Sequence, residues 1–395
     1  MTKIAFLYAT FPRPTETFVR RELSQLQELG LTPAVFSIWK GARSWEGLRI
    51  NLFPLSSLLR LIFWIPYWAW KRPTVFKLIL SHLWKTPCPN LQNWNETFLG
   101  LAFALIQAKS FKQANYERLH AVWATMPATA ALGISLLTDA RFSMGAHAYD
   151  VFRNGGDWLL ALKLKSARLV RTSSQSTANR LNLLGTTKEQ LVLIHRSLKP
   201  FPSRENFELV QKNKLSLLSV GRLVEKKGYF LLLKILQALK FSEVPFTLNM
   251  IGGGPLENEI RRQIQLCGLD KNVNLLGHMN EPEIEKFYLQ SDALLFTGIV
   301  SSNGDRDGIP NVIPEAMANG LLVLASNRAG SPEAFTHGEA GFTFDPYHQD
   351  PWVNLLRQFF DSPDRFSTIR KHAHLHAVSQ FSAKVNCQKL KSLFE

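Results

Sequence analysis

Short apolar runs alternate with helical patterns twice along this chain, and this repeat limits the possible fold more than any other feature. Residues 3–9 form an apolar run, residues 16–29 have helical spacing that ends at Gly30, and residues 32–38 form a second apolar run. A strand, a helix and a strand in this order predict a parallel sheet. Further strands are predicted at 119–124, 141–148 and 191–195. The first half is therefore expected to be Rossmann-like.

A second alternating set begins after a linker near residues 196–214, where Pro200 and Pro202 interrupt the periodicity. Its strands are predicted at 215–220, 247–251, 273–276, 293–297 and 322–326, and its helices at 228–240, 257–268, 281–291 and 311–319. The chain has 395 residues, and single cores stop growing at roughly 250–300 residues. We therefore predict two doubly wound α/β domains, residues 1–198 and 199–377, and a helix over 381–394 within the final segment 378–395.

The charge of the chain indicates an anionic partner. Lys and Arg number 46 against 31 Asp and Glu, which gives a formal net charge of +15. Nucleotide, phospholipid surface and nucleic acid all fit such a surplus, and charge does not choose among them. The chain has no nucleic-acid recognition motif, so a nucleic-acid partner is not predicted.

Cysteine usage and hydropathy bear on the compartment. Cys88, Cys267 and Cys387 are far apart and form no CxxC pair, which supports neither a disulfide framework nor a cysteine zinc site. The first 20 residues lack a signal-peptide pattern, so a cytoplasmic location is expected. Residues 55–70 are apolar and aromatic, but they contain Arg60 and Pro66 and fall short of the ~20 residues that span a bilayer.

The segment DGIPNVIPEAMANG over residues 307–320 carries the most specific functional signal. Asp307 lies in a loop, and Glu315 follows eight positions later in a predicted helix that has Pro310 near its start and Gly320 as its stop. Such a segment offers backbone N–H groups and a helix N-terminus to an anion, while the two carboxylates accept hydrogen bonds from hydroxyls. A sugar nucleotide has both kinds of group.

This segment resembles the signature of the retaining GT-B glycosyltransferases of glycosyltransferase family 4, in which two acidic residues, usually both glutamates, are separated by seven. Asp307 departs from that pattern by one methylene. The N-terminal FPRPTETFVRREL also resembles the opening segment of bacterial exopolysaccharide and colanic-acid type members. The resemblance implies two Rossmann-like domains facing across a cleft, with the C-terminal helix crossing back to the first domain.

The resemblance also implies an activity. Members transfer a sugar from a nucleotide-diphosphate sugar to a hydroxyl of a glycan or a lipid-linked acceptor, with retention of anomeric configuration and without a metal or other cofactor. The expected role is cell-surface polysaccharide synthesis. No side chain stands out as a covalent nucleophile, so a same-face attack is expected, in which the departing phosphate helps to deprotonate the acceptor hydroxyl.

The donor-binding residues are carried over by position. Arg222 and Lys227, in SVGRLVEKKG, match the cations that neutralise the diphosphate leaving group, although an isolated turn of this kind is also common as a basic surface turn. Gly253 in the triple glycine is assigned to phosphate approach, with a plain strand-to-helix turn as the alternative. The remaining donor contacts implied by the resemblance are His278 and Met279 at the base, Glu315 at the ribose, Asp307 at the sugar, and the backbone of Gly308, Ile309, Pro310 and Asn311 between them.

The first domain is expected to supply a catalytic histidine and the acceptor site. His147 in GAHAYD resembles the family histidine that contacts the donor sugar near the reacting carbon, and a purely structural histidine is the alternative. Asp150 is assigned to the acceptor. Glu16 and Thr17 either hold an acceptor hydroxyl or belong to a helix-capping segment with Thr15 as N-cap.

Two further patterns have a functional and a structural interpretation. His372, His374 and His376 have spacing that can bind zinc, but without a carboxylate or cysteine partner they are interpreted as a solvated helix face. The region 39–123 holds eight of the ten tryptophans, interleaved with basic residues, which fits either peripheral contact with an anionic membrane or ordinary packing on the sheet. A non-catalytic sugar-nucleotide or glycan-binding protein is the alternative to an enzyme.

Overall fold

The computed structural model describes residues 3–13, 16–199, 207 and 212–394, and it divides into two compact units. Unit 1 contains the described residues up to His195 and those from Lys384 onward, and unit 2 is Arg196–Ala383. The predicted boundaries at 198/199 and 377/378 lie within a few residues of these. Pro200, Pro202 and Thr15, which were given linker and capping roles, lie outside the described residues.

Unit 1 is built on a sheet whose strands, among the described residues, are ordered β3-β4-β2-β1-β5-β6-β7-β8. The strands are β1 (Lys3–Phe11), β2 (Ala34–Gly41), β3 (Ser44–Trp45), β4 (Leu48–Leu52), β5 (Tyr116–Ala121), β6 (Arg141–Gly145), β7 (Leu169–Thr172) and β8 (Leu191–Leu193). The helices are α1 (Thr17–Glu28), α2 (Leu61–Lys71), α3 (Pro73–Lys85), α4 (Leu91–Gln113), α5 (Met126–Thr138), α6 (Tyr149–Phe152), α7 (Leu160–Ser166) and α8 (Gln175–Leu183). All pairings are parallel except that of β3 with β4.

Unit 2 has a sheet ordered β11-β10-β9-β12-β13-β14 within the described part of the chain. Its strands are β9 (Leu215–Val220), β10 (Phe246–Ile251), β11 (Val273–Leu275), β12 (Ala293–Phe296), β13 (Leu322–Ser326) and β14 (Phe342–Phe344). Its helices are α9 (Tyr229–Phe241), α10 (Glu257–Leu266), α11 (Glu281–Gln290), α12 (Val312–Ala318), α13 (Asp350–Asp361) and α14 (Ser367–Gln380). Numbered within the unit, this order is 3-2-1-4-5-6, the order of a dinucleotide-binding Rossmann sheet.

The last helix, α15 (Ala383–Ser392), packs on unit 1. Cys387, Leu390 and Phe394 are buried in the same core as Ile4 and Phe6 of β1. The Phe394 ring lies 5.2 Å from the Phe6 ring. The return of the C-terminal helix to the first domain, which the resemblance implied, is therefore present.

The strand order brings particular loops together. In a doubly wound sheet, ligands bind beyond the carboxyl ends of the strands at the point where the strand order reverses. That point lies between β9 and β12 in unit 2 and between β1 and β5 in unit 1. The loop after β9 contains Arg222 and Lys227, and the loop after β12 contains Asp307.

Two structural predictions are corrected. The strand expected to run to residue 148 ends at Gly145, so His147 lies in the following loop and not in the strand. His374 is buried and not on a solvated face, because its Nδ1 lies 2.7 Å from the carbonyl oxygen of Ala318.

Within the described ranges, no helix combines the length and the apolar character needed to cross a bilayer.

Candidate active site

The turn between β9 and α9 is fixed by glycine. Gly228 has a positive φ of 69° and precedes the first residue of α9. A Cβ at this position would lie 2.0 Å from the carbonyl oxygen of Thr297, which follows β12. Only glycine allows both the left-handed backbone and this close approach. The turn that carries Lys227 is thereby held directly against the loop that carries Asp307.

Lysines from this turn meet carboxylates from the facing loop. Lys227 Nζ lies 2.7 Å from Asp307 Oδ2, and Lys226 Nζ lies 3.3 Å from Asp307 Oδ1. Lys226 also pairs with Asp305 at 3.0 Å. The side chains of Lys226 and Lys227 are only 5% and 13% exposed, so these pairs are screened by solvent far less than surface pairs are. Lys226, Lys227, Asp305 and Asp307 are hereafter called the lysine–aspartate cluster.

The lysine–aspartate cluster and Arg222 together have an excess of positive charge. Burial first, and then the neighbouring Lys226 and Arg222, lower the pKa of Lys227, although Asp307 opposes this shift. Burial would raise the pKa of Asp307, but Lys227 and Lys226 outweigh it and lower the pKa to about 2. With Arg222 included, three cations face two carboxylates, and such a group can accept a further anion.

Arg222 stands apart from the ion pairs. Its side chain is exposed, and it takes part in no ion pair among the residues that the structure describes. Lys227 also lies over the Phe296 ring, with its ammonium 5.1 Å from the ring centroid. The aromatic face holds the ammonium from one side, while Arg222 is left available for a ligand.

Glu315 is positioned by a tyrosine that sequence reasoning missed. Tyr288 on α11 is buried, and its hydroxyl donates to Glu315 Oε2 at 3.0 Å. Glu315 itself lies on α12, which begins at Val312, two residues after Pro310, and has only seven residues. A helix of two turns stabilises an anion at its N-terminus less than the helix predicted over 311–319 would. Gly320, with φ of 72°, ends it as predicted.

The loop that follows Asp307 is packed tightly against a second loop. A Cβ on Gly330 would lie 2.4 Å from the carbonyl carbon of Gly308, and the Gly330 N–H donates to the Asp307 carbonyl at 3.2 Å. Ile309 and Pro310 are buried and Asn311 is half-buried. These contacts hold the backbone of residues 307–311 in one conformation, as a preformed ligand loop requires.

The triple glycine mainly builds a turn. A Cβ on Gly252 would lie 1.9 Å from the Gly221 carbonyl oxygen, and one on Gly254 would lie 2.5 Å from the Leu223 carbonyl oxygen. Gly253 meets only His278, at 3.8 Å, so nothing in the fold demands glycine there. His278 is exposed, and Met279 packs on the core beside the site. Gly253 and His278 are thus neighbours at the ends of β10 and β11.

In unit 1, Asp150 organises the loop that carries His147. Its carboxylate accepts from the backbone N–H groups of His147 at 3.2 Å, Ala148 at 2.8 Å and Ala124 at 3.3 Å. Asp150 is 1% exposed, and burial raises its pKa while these hydrogen bonds oppose the rise. Asp150 therefore positions the His147 loop, and its assignment to the acceptor stays a prediction.

His147 itself is buried. Its ring makes an edge contact with Trp123, with 5.6 Å between the centroids, and its carbonyl accepts from the Thr177 hydroxyl at 2.8 Å.

A nearby buried pair, Glu22 and Arg171, is joined by two hydrogen bonds of 2.6 Å. Sequence reasoning missed this pair because its members are 149 positions apart.

A polar pocket in unit 1 was also missed. It is lined by Gln92, Asn93, Glu96, Thr125, Tyr149, Asp150, Arg153 and Asp157. Asp157 Oδ1 pairs with the buried Lys163, while Asp157 Oδ2 and Arg153 Nε are buried without a hydrogen-bond partner among the described residues. Burial raises the pKa of Glu96, and Asp157 adds to the rise. Unpartnered buried polar atoms in a pocket mark a place where a polar ligand or water fits.

The assignment of Glu16 and Thr17 to the acceptor stays a prediction. Glu16 precedes α1, makes no capping hydrogen bond through its side chain, and pairs with Arg13 at 3.2 Å. Thr17 is the first residue of the helix. The described residues contain no group of three or more His, Cys, Asp or Glu side chains arranged to hold a metal ion.

Comparison with known proteins identifies the second half of the chain. Residues 202–375 match the family model described as glycosyl transferases group 1. This stretch is nearly all of unit 2, and it is similar to that family. For the part of the chain that carries the lysine–aspartate cluster and Glu315, the match supports the predicted resemblance at the level of group 1 glycosyl transferases. Retention and membership of family 4 stay predictions.

Two curated relatives have names that concern polysaccharide synthesis. The amylovoran biosynthesis glycosyltransferase AmsK of Erwinia amylovora is 31% identical over 168 residues, 42% of this chain and 40% of that protein. The putative colanic acid biosynthesis glycosyltransferase WcaL of Escherichia coli strain K12 is 25% identical over 219 residues, 55% of this chain and 54% of that protein. The chain thus spans about half the length of the curated relatives that it matches.

A solved structure extends the likeness to both units. The crystal structure of Anabaena Alr3699/HepE in complex with UDP and glucose matches with a TM-score of 0.70 and 16% identity, over 100% of this chain and 99% of that one. Together with the two strand orders, this match confirms the predicted GT-B fold. At this level of identity the likeness concerns the fold and not the activity.

Proposed function

We propose that the protein is a retaining, metal-independent glycosyltransferase that uses a nucleotide-diphosphate sugar as donor. The observation that carries the proposal is the lysine–aspartate cluster, which lies where the strand order of unit 2 reverses, between β9 and β12. Arg222 lies beside the cluster, and Glu315 lies on α12. Fixed cations can neutralise a departing diphosphate where no metal does so. The UDP complex of the Anabaena relative and the names of the curated relatives support the same class.

In the proposed reaction, the bond between the sugar C1 and the diphosphate oxygen breaks, and a bond forms between C1 and an acceptor oxygen on the same face. The proton of the acceptor hydroxyl passes to the departing phosphate. Arg222 and Lys227 stabilise the charge that develops on that phosphate, Asp307 accepts from the sugar hydroxyls, and Glu315 accepts from the ribose. His147 is proposed to contact the transferred sugar, with Asp150 holding its loop.

The direct test is transfer from a panel of UDP-, GDP- and ADP-sugars to polysaccharide-repeat or lipid-linked acceptors, with EDTA present. The expected outcome is turnover with one donor class, no loss in EDTA, and a product whose anomeric configuration, read by NMR, equals that of the donor. Binding of a sugar nucleotide without turnover or hydrolysis would instead identify a non-catalytic binding protein. Inverted product or loss of activity in EDTA would contradict the proposed mechanism.

We further propose that the polar pocket of unit 1, of which Asp150 is a lining residue, binds hydroxyl groups of the acceptor. It lies at the carboxyl ends of β5 and β6, next to the loop that holds His147. Carboxylates such as Glu96 and Asp157 are suited to accept from sugar hydroxyls. A lipid-linked glycan would bring the enzyme to a membrane surface.

Glu96→Gln is expected to raise the KM for the acceptor by about 5–50-fold, because one charged hydrogen bond is replaced by a weaker neutral one, while the donor KM changes little. Initial rates at varied acceptor concentration measure the effect. Gln175→Glu, at an exposed position on α8 outside the pocket, serves as a control for the change of one charge. Equal effects on both KM values would contradict an acceptor role.

A further inference from the structure

The helices α2 and α3 and the short helical turn before them expose large apolar side chains. Trp84 is 92% exposed, Trp70 83%, Leu59 80%, Phe63 74%, Ile62 72% and Leu80 61%. We call these six side chains the aromatic face. Scattered apolar residues are normal at a protein surface, but contiguous groups of them mark interaction sites.

The exposure follows the helical period. Positions 59, 62–63, 66 and 70 recur every three to four residues, as do 77, 80 and 84 in α3, so they form outward stripes on their helices. A surface helix normally presents polar side chains on such a stripe. Here the outward stripe of α2 and of the helical turn over Leu55–Arg60 carries Leu59, Ile62, Phe63, Pro66 and Trp70, and none of them is polar.

The inward side of the same helices is already packed. Trp68 and Val75 are buried with Ala108 of α4 and Leu137 of α5. The Trp68 indole N–H also donates to the Leu105 carbonyl at 2.8 Å. The helices are therefore held by one apolar side and present a second apolar side outward, which excludes poor packing as the reason for the exposure.

The chain segment that carries the aromatic face has charged side chains of one sign only. No Asp or Glu occurs between Glu46 and Glu96, whereas basic residues recur throughout. Arg60, Lys77 and Lys85 are exposed and take part in no ion pair among the described residues. Arg72 differs, because it pairs with Asp139 at 2.9 Å. A stretch of 49 residues without an acid complements an anionic surface.

We propose that the aromatic face docks on an anionic lipid bilayer. Tryptophan and other large apolar side chains are favoured at the boundary between headgroups and acyl chains, and lysine and arginine beside them are attracted to anionic headgroups. Trp70, Trp84 and Phe63 enter that boundary, and Arg60, Lys77 and Lys85 bind lipid phosphates. The proposal stands on the surface alone and does not depend on the transferase activity.

The test is flotation of the full chain with vesicles of phosphatidylcholine, with and without about one third phosphatidylglycerol. The wild type is expected to float with the anionic vesicles and to be released by high salt, because the attraction to anionic lipid is screened. Phe63→Ser/Trp70→Ser/Trp84→Ser is expected to lower the bound fraction by about tenfold or more. Arg60→Gln/Lys77→Gln/Lys85→Gln is expected to lose the preference for anionic vesicles.

A matched control carries the same kind of substitution elsewhere. Leu183→Ser/Phe241→Ser/Leu266→Ser alters side chains that are 82%, 78% and 66% exposed, and it should bind vesicles like the wild type. Thermal unfolding verifies that each variant is folded. Wild-type protein that stays unbound with anionic vesicles overturns the proposal. So does a wild type that self-associates through this face, seen as a dimer by light scattering that the first triple variant abolishes, without binding vesicles.

Discussion

Lys227→Ala is expected to lower kcat by about 10²–10³-fold, the range seen when one preorganised charge-stabilising donor is removed from a transition state. In the structure this ammonium lies 2.7 Å from Asp307 and is largely buried, so a small neutral side chain cannot replace its charge. The fold should persist, because Lys226 still pairs with Asp307. Single-turnover rates of sugar transfer measure the loss of rate, and thermal unfolding of the variant shows whether the fold persists.

Lys234→Ala provides the matched control, since Lys234 is an exposed lysine on the same helix that begins beside the cluster. It should leave both kcat and stability unchanged. Turnover of Lys227→Ala within a few fold of the wild type would remove Lys227 from the mechanism. A variant that is unfolded would not decide the question, and Lys227→Met, which keeps most of the side-chain volume over the Phe296 ring, then takes its place.

The same residue sets an expected pH dependence. Burial, followed by Lys226 and Arg222, lowers the pKa of Lys227, so the cation is lost as pH rises through a value below the ordinary lysine range of about 10.4. We therefore expect kcat/KM of the wild type to fall on the alkaline side below that range. Asp307 has its pKa lowered to about 2 and stays ionised from weakly acidic to alkaline pH. Its titration therefore causes no fall of kcat/KM on the acidic side near neutral pH.

Glu315→Ala is expected to weaken binding of the nucleotide donor by about 10–100-fold, because hydrogen bonds to a charged group contribute roughly 1.5–3 kcal/mol and each 1.4 kcal/mol is about tenfold in Kd. The effect should appear in the Kd of the free nucleoside diphosphate as well as of the sugar nucleotide, since the proposed partner is the ribose. Calorimetric titration measures both.

Tyr288→Phe separates positioning from binding. Its hydroxyl donates to Glu315 at 3.0 Å and is proposed to orient the carboxylate without touching the ligand. Its removal should weaken binding by only about 2–10-fold, and Glu315→Ala/Tyr288→Phe should be no weaker than Glu315→Ala alone. Additive effects of the two substitutions would show that the tyrosine acts independently of Glu315. The proposed contact between Glu315 and the ribose is contradicted if Glu315→Ala weakens the binding of 2′-deoxynucleotides and of ordinary nucleotides by the same factor.

Much of the fold could be predicted from the sequence because buried parallel strands are nearly continuous apolar runs. The strands β9 and β13 have the predicted bounds, and most others differ by one to three residues. The strands β3, β4, β7 and β14 were missed. Leu169–Thr172 is only four residues long and contains an arginine, and that arginine is tolerated inside the sheet because Glu22 pairs with it from 149 positions away.

The site was predictable to the extent that its members lie in local motifs. Arg222, Lys227, Asp307 and Glu315 were predicted as site residues from glycine turns, from their spacing along the chain and from the family resemblance. Lys226 was overlooked although it is adjacent to Lys227, because sequence does not show that a helical turn brings both ammoniums to one carboxylate. Tyr288 and the pocket around Glu96 depend on contacts between distant segments, for which no local pattern exists.

The central claim is that the lysine–aspartate cluster and Arg222 bind a nucleoside diphosphate without a divalent ion. Its most direct test is calorimetric titration of UDP, GDP and ADP in EDTA into the wild type and into Arg222→Ala/Lys227→Ala. We expect one nucleotide to bind the wild type in EDTA and to lose at least about 100-fold in affinity in the double variant. Binding that requires Mg²⁺, or equal affinity of the two proteins for the nucleotide, would contradict the claim.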